Sequence, residues 1–115
     1  MTTRVSELRL SAEDRHIAEA AAQAIRRHAP DAEVILFGSR AAGSAGAESD
    51  FDFLVIVDTP DRFGLAMELT EVLEQVQCLP SFDLIVVPRQ DWDATRQRYG
   101  FIAREADRHG IRIHA

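Results

Sequence analysis

Two aspartates stand at the start of a long apolar run, and this run constrains the fold more than any other part of the chain. Asp50 and Asp52 flank Phe51, and no charged residue follows from Phe53 to Val57. Such a run is typical of a buried β-strand, in which residues two apart point to the same side. Both carboxylates would then project from one face. Because two adjacent carboxylates repel each other, the pattern predicts a strand whose start binds a cation.

Two further apolar runs and several amphipathic stretches surround this strand. The runs predict strands at 34–37, 51–57 and 82–87, with a short terminal strand at 111–113. The helical patterns predict helices at 12–29 after the N-cap Ser11, at 39–45, at 61–78 and at 91–108. In the helix at 61–78 the residues expected to face inward are Phe63, Ala66, Met67, Leu73 and Val76. In the helix at 91–108 the packed side is expected to carry Trp92, Tyr99, Ile102, Ala103 and Ala106. This order predicts an α/β (α+β) domain, with a small mixed β-sheet and helices packed mainly on one face.

The composition indicates a small globular protein with one core. The chain has 115 residues, of which 46% are hydrophobic, so we expect a single domain over residues 1–115. No apolar stretch approaches the roughly 18–20 residues of a membrane span, and the charges near the N-terminus exclude a signal-peptide core. Cys78 is the lone cysteine, which excludes an intrachain disulfide. We therefore expect a cytoplasmic protein that does not bind membranes.

The overall charge argues against a domain that grips nucleic acid. The formal net charge is −6 at neutral pH. Binding to a phosphate backbone requires a basic face, which an acidic chain of this size is poorly suited to provide. Direct nucleic-acid binding is therefore not expected.

A third aspartate completes the pattern of acidic residues at strand starts. Asp83 stands near the beginning of the 82–87 run, much as Asp52 does in its own run. A carboxylate in a strand bound for the core is costly unless it is paired or binds a metal. If the two strands are neighbours, Asp50, Asp52 and Asp83 converge beside the Gly38-Ser39 turn.

Three such carboxylates are what two-metal nucleotidyl transfer requires. Two Mg²⁺ ions roughly 3.5–4 Å apart can be bridged by two carboxylates, while a third completes the site beside the attacking hydroxyl. Ser39 and the backbone after Gly38, with the start of the next helix, could hold the phosphates of a nucleoside triphosphate. Arg40 could add a charge-assisted contact to them, although an ordinary surface arginine is an equal alternative.

These residues resemble the polymerase-β-type nucleotidyltransferase superfamily. The resemblance rests on Gly-Ser, a ten-residue gap, Asp-x-Asp in an apolar strand and a distant Asp83, and it covers about 34–87. The short chain and the run Phe37-Gly38-Ser39-Arg40-Ala41-Ala42-Gly43-Ser44 are similar to the minimal nucleotidyltransferases, or MNT proteins. The resemblance implies a nucleotidyltransferase fold, nucleotide binding at Gly38 and Ser39, and a metal triad of Asp50, Asp52 and Asp83. Many members carry a second arginine where this chain has Ala42.

The resemblance also implies a partner. Many minimal members are antitoxins that act on a HEPN-type toxin, and some transfer AMP from ATP to a tyrosine of that toxin. The leading hypothesis is therefore an adenylyltransferase that uses ATP and two Mg²⁺ ions. A second hypothesis is a binding module that neutralises its partner by occlusion, which Ala42 favours. Transfer to a small molecule is a third, less favoured because the chain leaves little room for an acceptor-binding domain.

Overall fold

The computed structural model describes residues 10–42 and 50–114. Its five helices and four strands follow one another along these residues. They are α1 (Ala12–His28), β1 (Glu33–Phe37), α2 (Ser39–Ala42), β2 (Phe51–Val57), α3 (Arg62–Glu74), β3 (Phe82–Pro88), α4 (Arg89–Thr95), α5 (Ile102–His109) and β4 (Ile111–Ile113). The four predicted strands are confirmed. The predicted helix at 39–45 is seen as α2, and its residues 43–45 lie outside the described part of the chain.

The strands form one mixed sheet in the order β3-β2-β1-β4. β1 pairs antiparallel with both β2 and β4, whereas β2 and β3 run parallel. The two central strands are apolar on both faces, as expected for strands covered from either side. The prediction of a small mixed sheet in an α+β domain is confirmed.

The two faces of the sheet carry hydrophobic clusters of unequal size. The larger cluster packs α1 and α3 against Leu36, Phe53 and Val55, and we call this side the α1–α3 face. The smaller cluster packs Trp92 of α4 and two alanines of α5 against residues such as Ile35 and Leu54, and we call this side the α4–α5 face. The two longest helices thus share one face, and two short helices cover part of the other.

Side-chain hydrogen bonds cap the N-termini of α1 and α3. The side chain of Ser11 accepts a hydrogen bond from the Asp14 amide at 3.0 Å, and Asp61 accepts one from the Gly64 amide at the same distance. α3 ends at Glu74, earlier than predicted. Leu73 is buried as predicted, and Ala66 and Val76 are partly buried against the core. The prediction that Phe63 and Met67 face inward is wrong, because these side chains are 73% and 70% exposed.

The prediction of one helix over 91–108 is also wrong. The chain forms α4 and α5 instead, and the turn between them contains Gly100 with φ +84°, a left-handed conformation that ends a helix. Trp92 is buried as predicted, whereas Tyr99 is 82% exposed and Ile102 is 42% exposed. Ala103 and Ala106 are buried as predicted and make the contact of α5 with the sheet.

No helix in the described part of the chain has both the length and the apolar character needed to cross a bilayer.

Candidate active site

Asp52 and Asp83 lie side by side on adjacent parallel strands. They are register partners in the β2–β3 pair, in which strands are spaced about 4.8 Å apart. The neighbouring strands that the sequence predicted are therefore present. Because Leu54 and Ile85 follow two residues later, both carboxylates belong to the α4–α5 face. Asp52 is half-buried and Asp83, on the edge strand, is exposed.

Asp50 is tied to the start of β3. Its carboxylate accepts a short hydrogen bond from the hydroxyl of Ser81, and the amide of Phe51 donates to the Ser81 carbonyl at 3.1 Å. Ser81 therefore joins the starts of the two parallel strands. The sequence interpretation did not assign a role to Ser81. A signal was present, since a serine two residues before Asp83 mirrors the position of Asp50 before Asp52.

Gly38 is in direct contact with the Asp52 carboxylate. Phe37, the last residue of β1, is the register partner of Asp52, and Gly38 follows with φ +78°. A Cβ at position 38 would lie 2.2 Å from Asp52 Oδ2. Only glycine combines this backbone conformation with this close approach. The Gly38-Ser39 turn that the sequence predicted beside the carboxylates is therefore in place, with Ser39 half-buried at the start of α2.

Arg40 makes its described contacts with the body of the protein. Its Nη1 atom donates to both carboxylate oxygens of Asp14, at 3.0 and 3.1 Å. Its guanidinium lies 4.4 Å from the centroid of the Phe51 ring. The side chain is only 11% exposed. The residue therefore ties α1 and α2 to the start of β2, and its predicted contact with a nucleotide stays a prediction.

The three carboxylates interact electrostatically. Burial raises the pKa of Asp52 above its ordinary value, and the negative charges of Asp83 and Asp50 raise this pKa further. A bound cation would remove the repulsion between these groups. The pKa shift thus indicates a point where positive charge is favourable.

The oxygen atoms of the three aspartates are suitable ligands for a hard divalent cation. Carboxylate oxygens are the ligands that Mg²⁺ prefers in proteins. Within 10–42 and 50–114, however, no three His, Cys, Asp or Glu side chains are already gathered around one point that could hold a metal ion. Asp52 and Asp83 are adjacent, whereas Asp50 hydrogen-bonds to Ser81. The three carboxylates fit a divalent cation chemically.

A family model described as a nucleotidyltransferase domain matches residues 18–109. The chain belongs to this family. The match covers most of α1 and all of β1, β2 and β3, so the three aspartates lie inside the nucleotidyltransferase domain. No curated protein and no solved structure matches the chain.

Membership in the nucleotidyltransferase family gives the site a general chemistry. Nucleotidyltransferases transfer a nucleotide from a nucleoside triphosphate to an acceptor, generally with a divalent metal ion. The structure brings Gly38, Asp50, Asp52 and Asp83 to one end of the sheet, where β1 ends and β2 and β3 begin. This end of the sheet is the candidate active site of the nucleotidyltransferase.

Proposed function

We propose that this nucleotidyltransferase transfers AMP from ATP to a hydroxyl of a partner protein in a Mg²⁺-dependent reaction. The observation that carries the proposal is the register of Asp52 and Asp83 on parallel strands, with Gly38 against Asp52. Acidic side chains, which are the proposed metal ligands, thus lie beside the Gly38-Ser39 turn, the proposed phosphate site. It lies inside the part of the chain that the family model matches.

Each acidic residue has a separate role in the proposal. Asp50 and Asp52 would hold both metal ions, and Asp83 would complete the metal site on the side of the acceptor. When bound, Mg²⁺ neutralises charge on the triphosphate and on the leaving pyrophosphate. Asp83 is exposed on the edge strand, so an acceptor from outside the domain can reach it. It would orient the attacking hydroxyl.

The reaction is a displacement at the α-phosphorus of ATP. The acceptor oxygen forms a bond to the α-phosphorus while the bond to the bridging oxygen of the β-phosphate breaks. Pyrophosphate leaves with that electron pair, and the acceptor proton is released to solvent. The backbone after Gly38 and the Ser39 hydroxyl would bind the terminal phosphates, with Arg40 adding positive charge. All three lie on the β1 side of Asp52.

The proposed partner is a HEPN-type toxin, and the proposed role is that of an antitoxin in the cytoplasm. The support is the resemblance of the run from Phe37 to Ser44 to minimal nucleotidyltransferases. An acceptor tyrosine on such a toxin would be converted to its AMP ester. The added phosphodiester charge would then interfere with the function of that surface.

Two measurements test the catalytic claim. Calorimetry with ATP and MgCl₂ should show binding to the wild type and to Asp58→Asn, and at least tenfold weaker binding to Asp52→Asn. Asp58 is a matched control because it is an exposed aspartate beyond the opposite end of β2. The partner protein from a neighbouring gene, incubated with ATP and Mg²⁺, should gain the mass of one AMP with the wild type and with Asp58→Asn, and not with Asp52→Asn. An unchanged gain with Asp52→Asn would overturn the claim.

Occlusion of the partner is the second candidate function. The observation that favours it is Ala42, at the position where many minimal nucleotidyltransferases carry an arginine. In this case Asp52→Asn would bind and neutralise the partner as well as the wild type does. Growth rescue in cells that express the partner measures this directly. Full rescue without any AMP transfer would support occlusion over catalysis.

A further inference from the structure

β3 forms one edge of the sheet, and among the strands that the structure describes its outer side has no partner. Alternate residues of an edge strand point their amides and carbonyls away from the sheet, where no backbone group pairs with them. Proteins commonly protect such edges with lysines, prolines or bulges. In β3 the last residue, Pro88, is such a device, whereas residues 84–87 are all apolar and pair with β2 in continuous register. This edge is therefore able to accept a further strand.

An open apolar groove runs along α3 on the side that faces away from α1. Glu68 of α3 contacts His28 of α1 at 2.9 Å and marks the side towards α1. With 3.6 residues per turn, positions 63, 66, 67 and 70, which line the groove, lie on the opposite side. Phe63 and Met67 in this lining are 73% and 70% exposed. Because α3 packs mainly on β3, this groove lies above the outer edge of the sheet, and we call it the α3 groove.

A second apolar cleft lies below the same edge, on the α4–α5 face. Both strand residues in its lining, Ile85 and Val87, belong to β3. Phe101 and Ile102 line it from the start of α5 and remain 45% and 42% exposed. We call it the α5 cleft. The edge of β3 thus has apolar surface on both faces of the sheet.

We propose that the edge of β3, with the α3 groove above it and the α5 cleft below it, binds an extended segment of a partner protein as a fifth strand. Successive side chains of a strand point to opposite faces, so those of the added strand would enter the groove and the cleft in turn. Main-chain hydrogen bonds to β3 supply the affinity, and the two apolar surfaces supply the specificity. The inference goes beyond the proposed function, because strand addition requires neither ATP nor a metal ion.

The charges around the edge define the segment further. Asp83 lies near the start of β3, and Glu71 and Glu74 lie at the end of α3 that leads to this start. All three residues are exposed. At the other end of β3, Arg62 pairs with Asp91 at 3.5 Å, so its charge is balanced. The segment that fits is therefore apolar along its length, with basic residues at the end that lies beside Asp83.

The position of α3 favours a separate segment over β3 of a second copy of the chain. Two copies paired through β3 would place these strands about 4.8 Å apart. Because α3 packs mainly on β3, the two α3 helices would lie at a similar separation, well below the roughly 8–10 Å at which helices pack. A lone extended segment brings no helix with it. It therefore fits beneath the α3 groove, where a second copy does not.

Binding of the synthetic peptide Ac-Val-Ile-Val-Leu-Val-Lys-Arg-NH₂ to the full chain, without ATP, tests the inference. Backbone NMR should show saturable shifts along β3 and slower hydrogen exchange at every second amide of this strand. Met67→Ser in the α3 groove and Phe101→Ser in the α5 cleft should each weaken binding about fivefold to twentyfold, as expected when one large apolar contact is lost. Tyr99→Ser, an exposed aromatic in neither lining, is the matched control and should bind as the wild type does.

N-methylated peptides distinguish strand addition from adhesion to an apolar surface. A strand hydrogen-bonds to its neighbour through alternate residues, so N-methylation of one alternate set should abolish binding and N-methylation of the other set should not. Equal binding by both peptides, or no binding by the unmodified peptide, would overturn the inference. Glu71→Gln should weaken binding about twofold, the scale of an exposed ion pair. Glu13→Gln, an exposed carboxylate on α1, should bind as the wild type does.

Analytical ultracentrifugation tests the alternative occupant. A wild type that sediments as a dimer at micromolar concentration, and as a monomer after Met67→Ser, would assign the edge to a second copy and overturn the inference. ATP binding and AMP transfer play no part in these measurements. A failure of strand addition therefore leaves the proposed function standing, and a failure of AMP transfer leaves strand addition standing.

Discussion

A Cβ at Gly38 would lie 2.2 Å from the Oδ2 atom of Asp52. The turn after β1 and the carboxylate of β2 are therefore fitted to each other at van der Waals distance. Gly38→Ala should cost about 1–2 kcal/mol for the left-handed backbone alone and should also displace the Asp52 carboxylate. We expect a lower free energy of unfolding in urea and at least tenfold weaker ATP binding.

Gly100→Ala is the matched control for this substitution. Gly100 has φ +84°, close to that of Gly38, but nothing lies within 4 Å of a Cβ at this position. Gly100→Ala should lose the same free energy of unfolding from its left-handed backbone and should bind ATP as the wild type does. Equal ATP binding by Gly38→Ala and Gly100→Ala would show that the contact with Asp52 does not matter for the nucleotide.

Asp52→Asn should stabilise the metal-free protein. The raised pKa means that the folded state holds the Asp52 proton more tightly than the unfolded state, so the stability of the wild type falls as pH rises above 3.8, the ordinary pKa of aspartate. Asparagine carries no charge and therefore removes the cost of holding an ionised carboxylate at this position. The free energy of unfolding in EDTA should rise by roughly 0.2–1 kcal/mol at pH 7, the scale of solvent-screened charges, and the gain should vanish near pH 3. Asp58→Asn is the control, and a loss of stability in Asp52→Asn would contradict the argument.

Added Mg²⁺ should reverse the order of stability between these two proteins. A ligand that binds only the folded state stabilises it by mass action. Thermal unfolding with 10 mM MgCl₂, a concentration chosen at roughly ten times a millimolar dissociation constant, should raise the midpoint of the wild type and not that of Asp52→Asn. Removal of the metal with EDTA should restore the original order. Equal shifts in both proteins would place the ion elsewhere.

Arg40 has two separable roles, one structural and one proposed. Asp14→Asn and Arg40→Gln should each lower the free energy of unfolding by about 1.5–3 kcal/mol, because each breaks a charged hydrogen bond that is largely shielded from solvent. The double variant should lose less than the sum of the two. If Arg40 also contacts phosphates, Arg40→Gln weakens ATP binding at least fivefold while Asp14→Asn does not. Equal ATP affinities would leave Arg40 with the structural role alone.

Glu33 joins the start of α4 to β4, and this link should weaken in acid. Its carboxylate accepts hydrogen bonds from Arg89 at 2.7 Å and Arg112 at 3.1 Å. The hydrogen bond from Arg89, aided by the charge of Arg112, lowers the pKa of Glu33 below 4.5. Its stabilising effect is therefore complete above the unfolded pKa and is lost as pH falls through the lower folded pKa. Glu33→Gln should cost about 0.5–1 kcal/mol at pH 7 and much less near pH 2, with Glu71→Gln as an exposed control.

The sequence predicted the sheet well because its strands are apolar on both faces. The run from Phe53 to Val57 contains only apolar side chains, which favours burial of the strand on both faces. The helix α3 connects β2 to β3 and allows the two strands to pair in parallel. The helices were less well predicted. The residues predicted to face inward on α3 included Leu73, which is buried, but also Phe63 and Met67, which are exposed, and they did not include the buried Leu69. Apolar residues cover so wide a part of α3 that their spacing does not show which side of the helix is buried.

The break between α4 and α5 shows the same limit. Trp92, Tyr99 and Ile102 fit one helical face in the sequence, and Gly100 alone marks the turn. A single glycine within a helical pattern can be tolerated, so its left-handed conformation is decided by the packing on either side. That break leaves Phe101 and Ile102 45% and 42% exposed at the start of α5.

The sequence by itself identified the candidate site residues. Asp50, Asp52 and Asp83 stand out because a carboxylate at the start of an apolar strand is costly if it is buried without a partner or a metal. Only the tertiary structure decided how they meet: Asp52 in register with Asp83, Asp50 bound to Ser81, and Gly38 pressed against Asp52. The physical reason is that strand register and the packing between distant segments depend on the whole core. The cost of burying a charge, in contrast, depends on the residue and its own strand, and the sequence of that strand is enough to recognise it.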